Sequence, residues 1–240
     1  MKTSRPLLAA LAAVVLATFV SAQTPATPAA PAVPADAAAL HRLSQERLQQ
    51  KNAKEAVEFA ERATQADATK PEYFSQLGIA LSQRMGEVPF MQMAVMSGKL
   101  KKAFEKSVAL DPNHVPGLIG LARFYTNAPE IAGGSLEKAA EFAARVRALD
   151  PFLGEIELAR VAERGEKFAE AFAHFDAASK LKPDNAGLHY ACGFQLAQLG
   201  RKDEARARFE AALKLNPEHE RSKKALAELD APAAAPAAAK

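Results

Sequence analysis

The sequence predicts an all-α protein built as an α-solenoid, a linear array of stacked helical hairpins. Three observations carry this prediction: a segment that recurs along the chain, a helical spacing of apolar residues inside it, and a proline at its end. The four clearest copies are LKKAFEKSVALDP, AAEFAARVRALDP, AFAHFDAASKLKP and ARARFEAALKLNP, which end at Pro112, Pro151, Pro183 and Pro217. Successive prolines are 39, 32 and 34 residues apart, the length of one helix–turn–helix unit.

Each copy has the pattern of an amphipathic helix, because apolar or small residues recur three and four positions apart. Proline ends such a helix, since its ring clashes with the preceding turn and it has no N–H to donate. A second helix precedes each copy. In the last unit that helix is AGLHYACGFQLAQLG, closed by Gly200, and Gly193 within it allows close packing against Phe209.

This pattern resembles the tetratricopeptide repeat, a 34-residue unit of two helices whose copies stack into a right-handed superhelix. The resemblance is strongest over 184–217, at Gly193, Gly200, Ala205, Phe209, Ala212 and Pro217. Four earlier units are expected at about 37–70, 71–112, 113–151 and 152–183, and a polar-faced cap helix at 218–229. The resemblance therefore predicts a repeat domain over 39–230, of the type found in exported bacterial proteins.

The first 22 residues have the pattern of a secretory signal peptide. Lys2 and Arg5 precede an apolar run, LLAALAAVVLATFV, and Val-Ser-Ala ending at Ala22 fits the cleavage rule. The run is shorter than the roughly 20 apolar residues of a membrane span. An uncleaved anchor is the alternative. We expect cleavage after Ala22, a periplasmic or secreted protein, and no stable membrane anchor after cleavage.

Residues 23–38 and 231–240 are rich in alanine and proline, which predicts an extended linker and a disordered tail. The formal charge of the whole chain is +3, and removing Lys2 and Arg5 with the leader leaves +1. A nearly neutral chain has no basic surface for nucleic acid. The charge therefore predicts no nucleic-acid partner, and the resemblance to the tetratricopeptide repeat implies a protein or peptide partner.

The sequence predicts no catalytic residue and no cofactor. No two of the five histidines have the i, i+4 spacing of a zinc site. Cys192 is the only cysteine and falls at a position that faces the neighbouring helix, which predicts a buried, unreactive thiol. Gly133 and Gly134 close a loop inserted in the third unit, and Ser135 is expected to cap the next helix.

The resemblance implies that a ligand lies on the concave face, which the first helix of each unit lines. Carried over position by position, the candidate binding residues are Arg123, Asn127, Arg160, Arg164, Tyr190, Phe194 and Gln198. Arginine suits bidentate capture of a carboxylate, and aromatic rings anchor apolar side chains. We expect a peptide or protein ligand with an acidic group. For any single residue, an ordinary solvated face is an equal alternative.

The stretch MGEVPFMQMAVMSGK is expected as an insertion between the two helices of the second unit. Its apolar residues Phe90, Met91, Met93 and Met96 predict a hydrophobic element that packs on the repeats or contacts a partner. The alternative is a Cu(I) site, because thioethers select that ion and Met91, Met93 and Met96 could supply three. If the stretch is helical, only Met93 and Met96 share a face.

Overall fold

The computed structural model describes residues 36–230, and every regular element within that range is helical. The elements are α1 (Ala37–Gln49), α2 (Ala53–Ala66), α3 (Pro71–Met85), α4 (Phe90–Leu110), α5 (Val115–Asn127), a 3₁₀ turn (Glu130–Ala132), α6 (Leu136–Leu149), α7 (Pro151–Arg164), α8 (Phe168–Leu181), α9 (Ala186–Gln198), α10 (Lys202–Leu215) and α11 (Glu220–Asp230). The predicted signal peptide, the tail 231–240 and all but the last three residues of the predicted linker lie outside the described residues.

The helices pack as five successive antiparallel pairs, from α1 with α2 to α9 with α10. The second helix of each pair also packs against the first helix of the next, and α11 packs on α10 and α9. Short helices of this kind cannot bury their apolar faces alone, so stacking buries them in a series of core clusters along the array. The prediction of an all-α solenoid is confirmed.

Small residues set the spacing between the helices. Fully buried alanines such as Ala56 and Ala139 occupy the second helices. Phe104 of α4 fits against Gly78 of α3 and Gly120 of α5, and a methyl group placed on Gly78 would lie 2.5 Å from its ring. The predicted packing of Gly193 against Phe209 is confirmed, since a Cβ there would lie 2.6 Å from that ring.

Local sequence explains where the helices begin. The hydroxyl of Ser135 accepts a hydrogen bond from the amide of Lys138 at 3.2 Å, so the predicted cap of α6 is confirmed. Pro151 was predicted to end the preceding helix, but in the structure it begins the next one. It is the first residue of α7, where its missing N–H costs nothing, and Asp150 caps that helix through the amide of Leu153.

The methionine-rich stretch corrects the sequence interpretation of an insertion between two helices. The tight turn is present at 86–89, and α4 begins at Phe90 and runs for 21 residues. The extra residues are therefore the first turns of a longer second helix. The physical reason is composition, because no proline follows Pro89 within the helix and methionine, glutamine and alanine are good helix formers. Gly98 is tolerated within the helix.

Candidate ligand-binding face

We call the exposed side of the first helices α1, α3, α5, α7 and α9 the inner face. Alignment of the repeats places Arg123, Arg160 and Phe194 at equivalent positions of α5, α7 and α9. Asn127, Arg164 and Gln198 follow one turn later in the same three helices, and Tyr190 lies one turn before Phe194. The predicted binding residues thus form two rows across three neighbouring repeats.

Arg123 already has a partner within the protein. Its Nε lies 3.0 and 3.1 Å from the two carboxylate oxygens of Glu157, and its Nη2 lies 2.5 Å from Oε1. The Glu157 side chain is only 2% exposed, whereas that of Arg123 is 48% exposed. A buried carboxylate needs a paired charge. Arg123 therefore joins α5 to α7, and its charge is already paired with a carboxylate of the protein.

Asn127 is also engaged, although weakly. Its Nδ2 donates to the backbone oxygen of Arg123 at 2.8 Å, one turn earlier in α5. The residue is exposed at the end of the helix. Its amide oxygen and its second N–H are free, so Asn127 can offer hydrogen bonds to a ligand but no charge.

A polar contact bridges each pair of successive repeats along the first helices. Gln76 of α3 donates to the hydroxyl of Ser44 of α1 at 3.0 Å. His114, which precedes α5, lies 3.0 Å from the hydroxyl of Ser75 of α3. The Arg123–Glu157 pair joins α5 to α7, and Gln195 of α9 donates to Glu163 of α7 at 2.7 Å. These contacts fix the order and register of the first helices that carry the inner face.

Arg160 and Arg164 are two neighbouring unengaged cations of this face. They lie four residues apart on α7, so their side chains share one side of the helix. Both are exposed, and neither forms an ion pair with any residue in 36–230. Two neighbouring guanidinium groups suit a carboxylate or a pair of acidic side chains.

The aromatic residues differ in exposure. The Tyr190 ring lies 5.7 Å from that of Phe209 and 5.4 Å from that of His219, so the segment that leads into α11 partly covers it. Phe194 is 37% exposed and its ring centroid lies 6.4 Å from that of Tyr190. Gln198 is one turn further along α9. Phe194 is therefore an accessible aromatic ring of this face, and Tyr190 packs beside it.

Cys192 is fully buried, as the sequence predicted, and burial raises the pKa of its thiol to about 11. Its neighbours in the core include Phe175 and Leu188. A neutral, enclosed thiol cannot act as a nucleophile. Burial also lowers the pKa of His41 on α1 and of His114 just before α5, which favours the neutral imidazole.

The helical conformation of the methionine stretch separates its sulfurs. Met91 and Met93 lie about 200° apart around α4 at roughly 100° per residue. Met91 is exposed, whereas Met96 packs against the core cluster around Leu100 and Phe104. The three thioethers thus do not share one side of the helix. Within residues 36–230, no three side chains of the types His, Cys, Asp or Glu come together as possible metal ligands.

Glu157 is the functional residue that sequence reasoning missed. It lies at a position of α7 that packs on the preceding repeat, where α3, α5 and α9 have the uncharged residues Gln76, Gly120 and Ala191. An acidic residue at a buried helix interface requires a cation from a neighbour. The sequence therefore contained the evidence for this pair, but Glu157 and Arg123 lie in two different repeats, so the repeats must be aligned before the pair can be recognised.

None of the helices in 36–230 has both the length and the apolar character that crossing a bilayer requires.

Two family models match the sequence, and both are described as the tetratricopeptide repeat. One matches residues 164–229 and the other matches residues 37–70. No curated protein matches the chain.

Several solved structures share the fold at low sequence identity. A thermophilic tetratricopeptide repeat protein from Thermus thermophilus is 19% identical with a TM-score of 0.64, over 80% of this chain and 98% of that one. MamA from Desulfovibrio magneticus RS-1 is 19% identical with a TM-score of 0.58, over 79% and 99% of the two chains. YrrB, described as having an unusual peptide-binding site, is 15% identical with a TM-score of 0.54, over 80% and 93%.

Proposed function

Because this chain is a tetratricopeptide repeat protein, we propose that it is a non-catalytic scaffold that holds an acidic peptide or protein segment on its inner face. Proteins of this fold usually bind proteins or peptides, and YrrB is described by its peptide-binding site. Fold alone does not name a ligand, so the argument rests on the side chains of the face.

The unpaired guanidinium groups of Arg160 and Arg164 carry the proposal. Arg123, at the equivalent position of the preceding repeat, is neutralised by Glu157, whereas these two are not neutralised by any residue in 36–230. An incoming carboxylate would form charge-assisted hydrogen bonds there, each contributing about 1.5–3 kcal/mol. The acidic group of the ligand therefore belongs over α7 and not over α5.

Phe194 defines the second part of the ligand. It occupies the position in α9 that Arg160 occupies in α7, so the two side chains are neighbours across one repeat junction. An aromatic ring supported by Tyr190 offers a rigid apolar contact at low entropic cost. The face thus favours an extended segment with an acidic residue and an apolar residue close together.

A random peptide library tests this proposal with no partner chosen in advance. Selection on the immobilised protein should enrich peptides that combine Asp or Glu with a nearby aliphatic or aromatic residue. Selection on a variant with Arg160→Gln and Arg164→Gln should lose the acidic enrichment. Equal acidic enrichment on both proteins would overturn the assignment of α7 as the binding helix.

We infer that the scaffold works outside the cytoplasm, as a periplasmic or secreted protein. The support is the sequence pattern of the first 22 residues, with Lys2 and Arg5 before an apolar run and a small-residue cleavage pattern ending at Ala22. Intact-mass analysis of the protein from the envelope fraction should give a chain that begins at Gln23. Recovery of the uncleaved chain in the cytoplasm would contradict this location.

A further inference from the structure

Glu163, on the last turn of α7, is a carboxylate without a counter-charge in the described part of the chain. It is half-buried, and no ion pair joins it to any residue in 36–230. Its Oε1 accepts a hydrogen bond from the neutral amide of Gln195 on α9, at 2.7 Å from Nε2. The other carboxylate of α7 that contacts a neighbouring first helix, Glu157, is neutralised by Arg123. Glu163 thus keeps its capacity to recognise a group from outside.

Gln195 occupies a position that is apolar in the preceding first helices. The equivalent residues of α3, α5 and α7 are Ala80, Phe124 and Val161, and all four residues are buried. An ionised carboxylate can only accept, so the Gln195 amide turns its N–H groups toward Glu163. Its Oε1 is consequently buried with no hydrogen-bond partner among residues 36–230. Such an atom costs stability, so packing does not explain this glutamine, whereas the orientation of Glu163 does.

The Glu163 carboxylate lies on the α9 side of the two arginines of the inner face. At about 100° per residue, Glu163 is about 60° from Arg160 and about 100° from Arg164 around α7, in the same rotational sense. Its contact with Gln195 identifies that side as the one that faces α9, where Phe194 is the adjacent residue. Glu163 therefore stands between the arginine pair and the accessible aromatic ring.

We propose that Glu163 determines which ligand residue can lie between the acidic residue and the apolar residue of the ligand. This role rests on the proposed function, in which the arginines bind the acidic residue and Phe194 contacts the apolar one. The Glu163 carboxylate repels a second acidic side chain at the intervening position, because like charges face each other there. It accepts a hydrogen bond from a neutral donor, such as the amide of Asn or Gln. The ligand is therefore a segment with one acidic residue and not an acidic run.

The arginines explain why the donor is neutral. A ligand Lys or Arg at the intervening position would pair with Glu163, but it would also lie close to the guanidinium groups of Arg160 and Arg164, which have the same charge. A neutral N–H donor gains the hydrogen bond without that repulsion. The two positive charges and one negative charge of this site are balanced by a single ligand carboxylate.

Parallel selections of a random peptide library on wild type and on Glu163→Gln test this role. The substitution keeps the size of the side chain and an oxygen that accepts from Gln195, and it removes the charge. Peptides from wild type should be depleted of Asp and Glu, and enriched in Asn and Gln, between the acidic and the apolar residue. Peptides from the variant should lose the depletion. Glu141→Gln, at an exposed residue of α6, is the matched control and should select the same peptides as wild type.

Fluorescence anisotropy with two synthetic peptides measures the size of the effect. Both copy a peptide selected on wild type, and they differ only in Asn or Asp at the intervening position. Wild type should bind the Asn peptide about tenfold more tightly than the Asp peptide, and Glu163→Gln should bring the two Kd values to within about threefold. Gln195→Met should also narrow the difference, without lowering the urea midpoint, because it removes a buried polar atom that has no partner.

The outcomes separate the role of Glu163 from the proposed function. If peptides selected on wild type show no acidic enrichment, both are wrong. If acidic enrichment is present but the two peptides differ equally in wild type and Glu163→Gln, only the role of Glu163 is overturned. A lowered urea midpoint in Gln195→Met, with an unchanged difference between the peptides, would overturn the positioning role of Gln195.

Discussion

The guanidinium group of Arg123 on α5 holds the carboxylate of Glu157 on α7 through both Nε and Nη2. The carboxylate is buried and the guanidinium is half-exposed. The pair therefore joins two repeats through a buried carboxylate. In the proposed function, stability and ligand binding depend on different arginines of the same face.

Replacing Arg123 with methionine should destabilise the protein by about 2 kcal/mol. Removal of one partner from a fully buried pair costs about 3–5 kcal/mol, and the exposure of Arg123 reduces that cost because water reaches the carboxylate. Urea unfolding followed by circular dichroism measures the change. Arg160→Met is the matched control and should change the free energy of unfolding by less than about 0.5 kcal/mol. A double variant, Arg123→Met with Glu157→Met, should recover part of the loss.

Two glycine substitutions in neighbouring helices should have opposite effects. Gly120→Ala should destabilise the protein by about 1–3 kcal/mol, because the added methyl group overlaps the Phe104 ring between α4 and α5. Gly98→Ala should stabilise it by about 0.5–1 kcal/mol, since no atom lies within 4 Å of the new methyl group and alanine is the better helix former. Thermal unfolding at low protein concentration measures both, and equal shifts of either sign would contradict the packing described.

The thiol of Cys192 should resist modification in the folded protein. Its pKa is raised to about 11 by burial, so the thiolate is scarce at pH 8 and the reagent has no access. Reaction with a disulfide reagent should therefore be slow in buffer, and the full single equivalent should react at once in concentrated urea. Rapid labelling of the folded protein at pH 8 would place this thiol at the surface.

Acidification should destabilise the protein partly through His41 and His114. Burial lowers the pKa of both imidazoles in the folded state, so the unfolded chain binds protons more readily. Their contribution is present above the ordinary histidine pKa near 6.5 and is lost as the pH falls through the lowered values. His41→Gln with His114→Gln should shrink the drop in urea midpoint between pH 7.5 and pH 5. An unchanged drop would show that other groups carry it.

The fold was predictable because residues at particular repeat positions determine how the two helices of a unit pack. Gly193, Phe209 and Ala212 lie at such positions in the last unit, and Phe209 packs against Gly193 in the structure as expected. Ser135 was predictable for the same reason, since a helix start with a hydroxyl and a following acidic residue is a local signal. Burial of Cys192 followed from its position in the repeat.

The features that the sequence did not predict depend on contacts between repeats or on departures from the repeat. Arg123 and Glu157 are 34 residues apart, and each looks like an ordinary surface charge until its neighbour is placed. The extension of α4 was not predicted because the family pattern has a turn at this place in the repeat. In the structure, α4 already begins at Phe90 and so has about two additional helical turns at its start. The sequence predicted Tyr190 as a binding residue without the contacts that partly cover its ring, which come from Phe209 and His219.

The affinity of a selected acidic peptide for three forms of the protein tests the central claim most directly. Fluorescence anisotropy with the labelled peptide should give a Kd that rises by about tenfold or more for Arg160→Gln with Arg164→Gln, since each lost charge-assisted contact contributes more than about 1.4 kcal/mol. The control variant is Lys102→Gln with Lys106→Gln on α4, which removes the same charge from two exposed residues at the same spacing. Its Kd should stay close to that of wild type. An unchanged Kd in the arginine variant, or an equal loss in the control, would contradict the account.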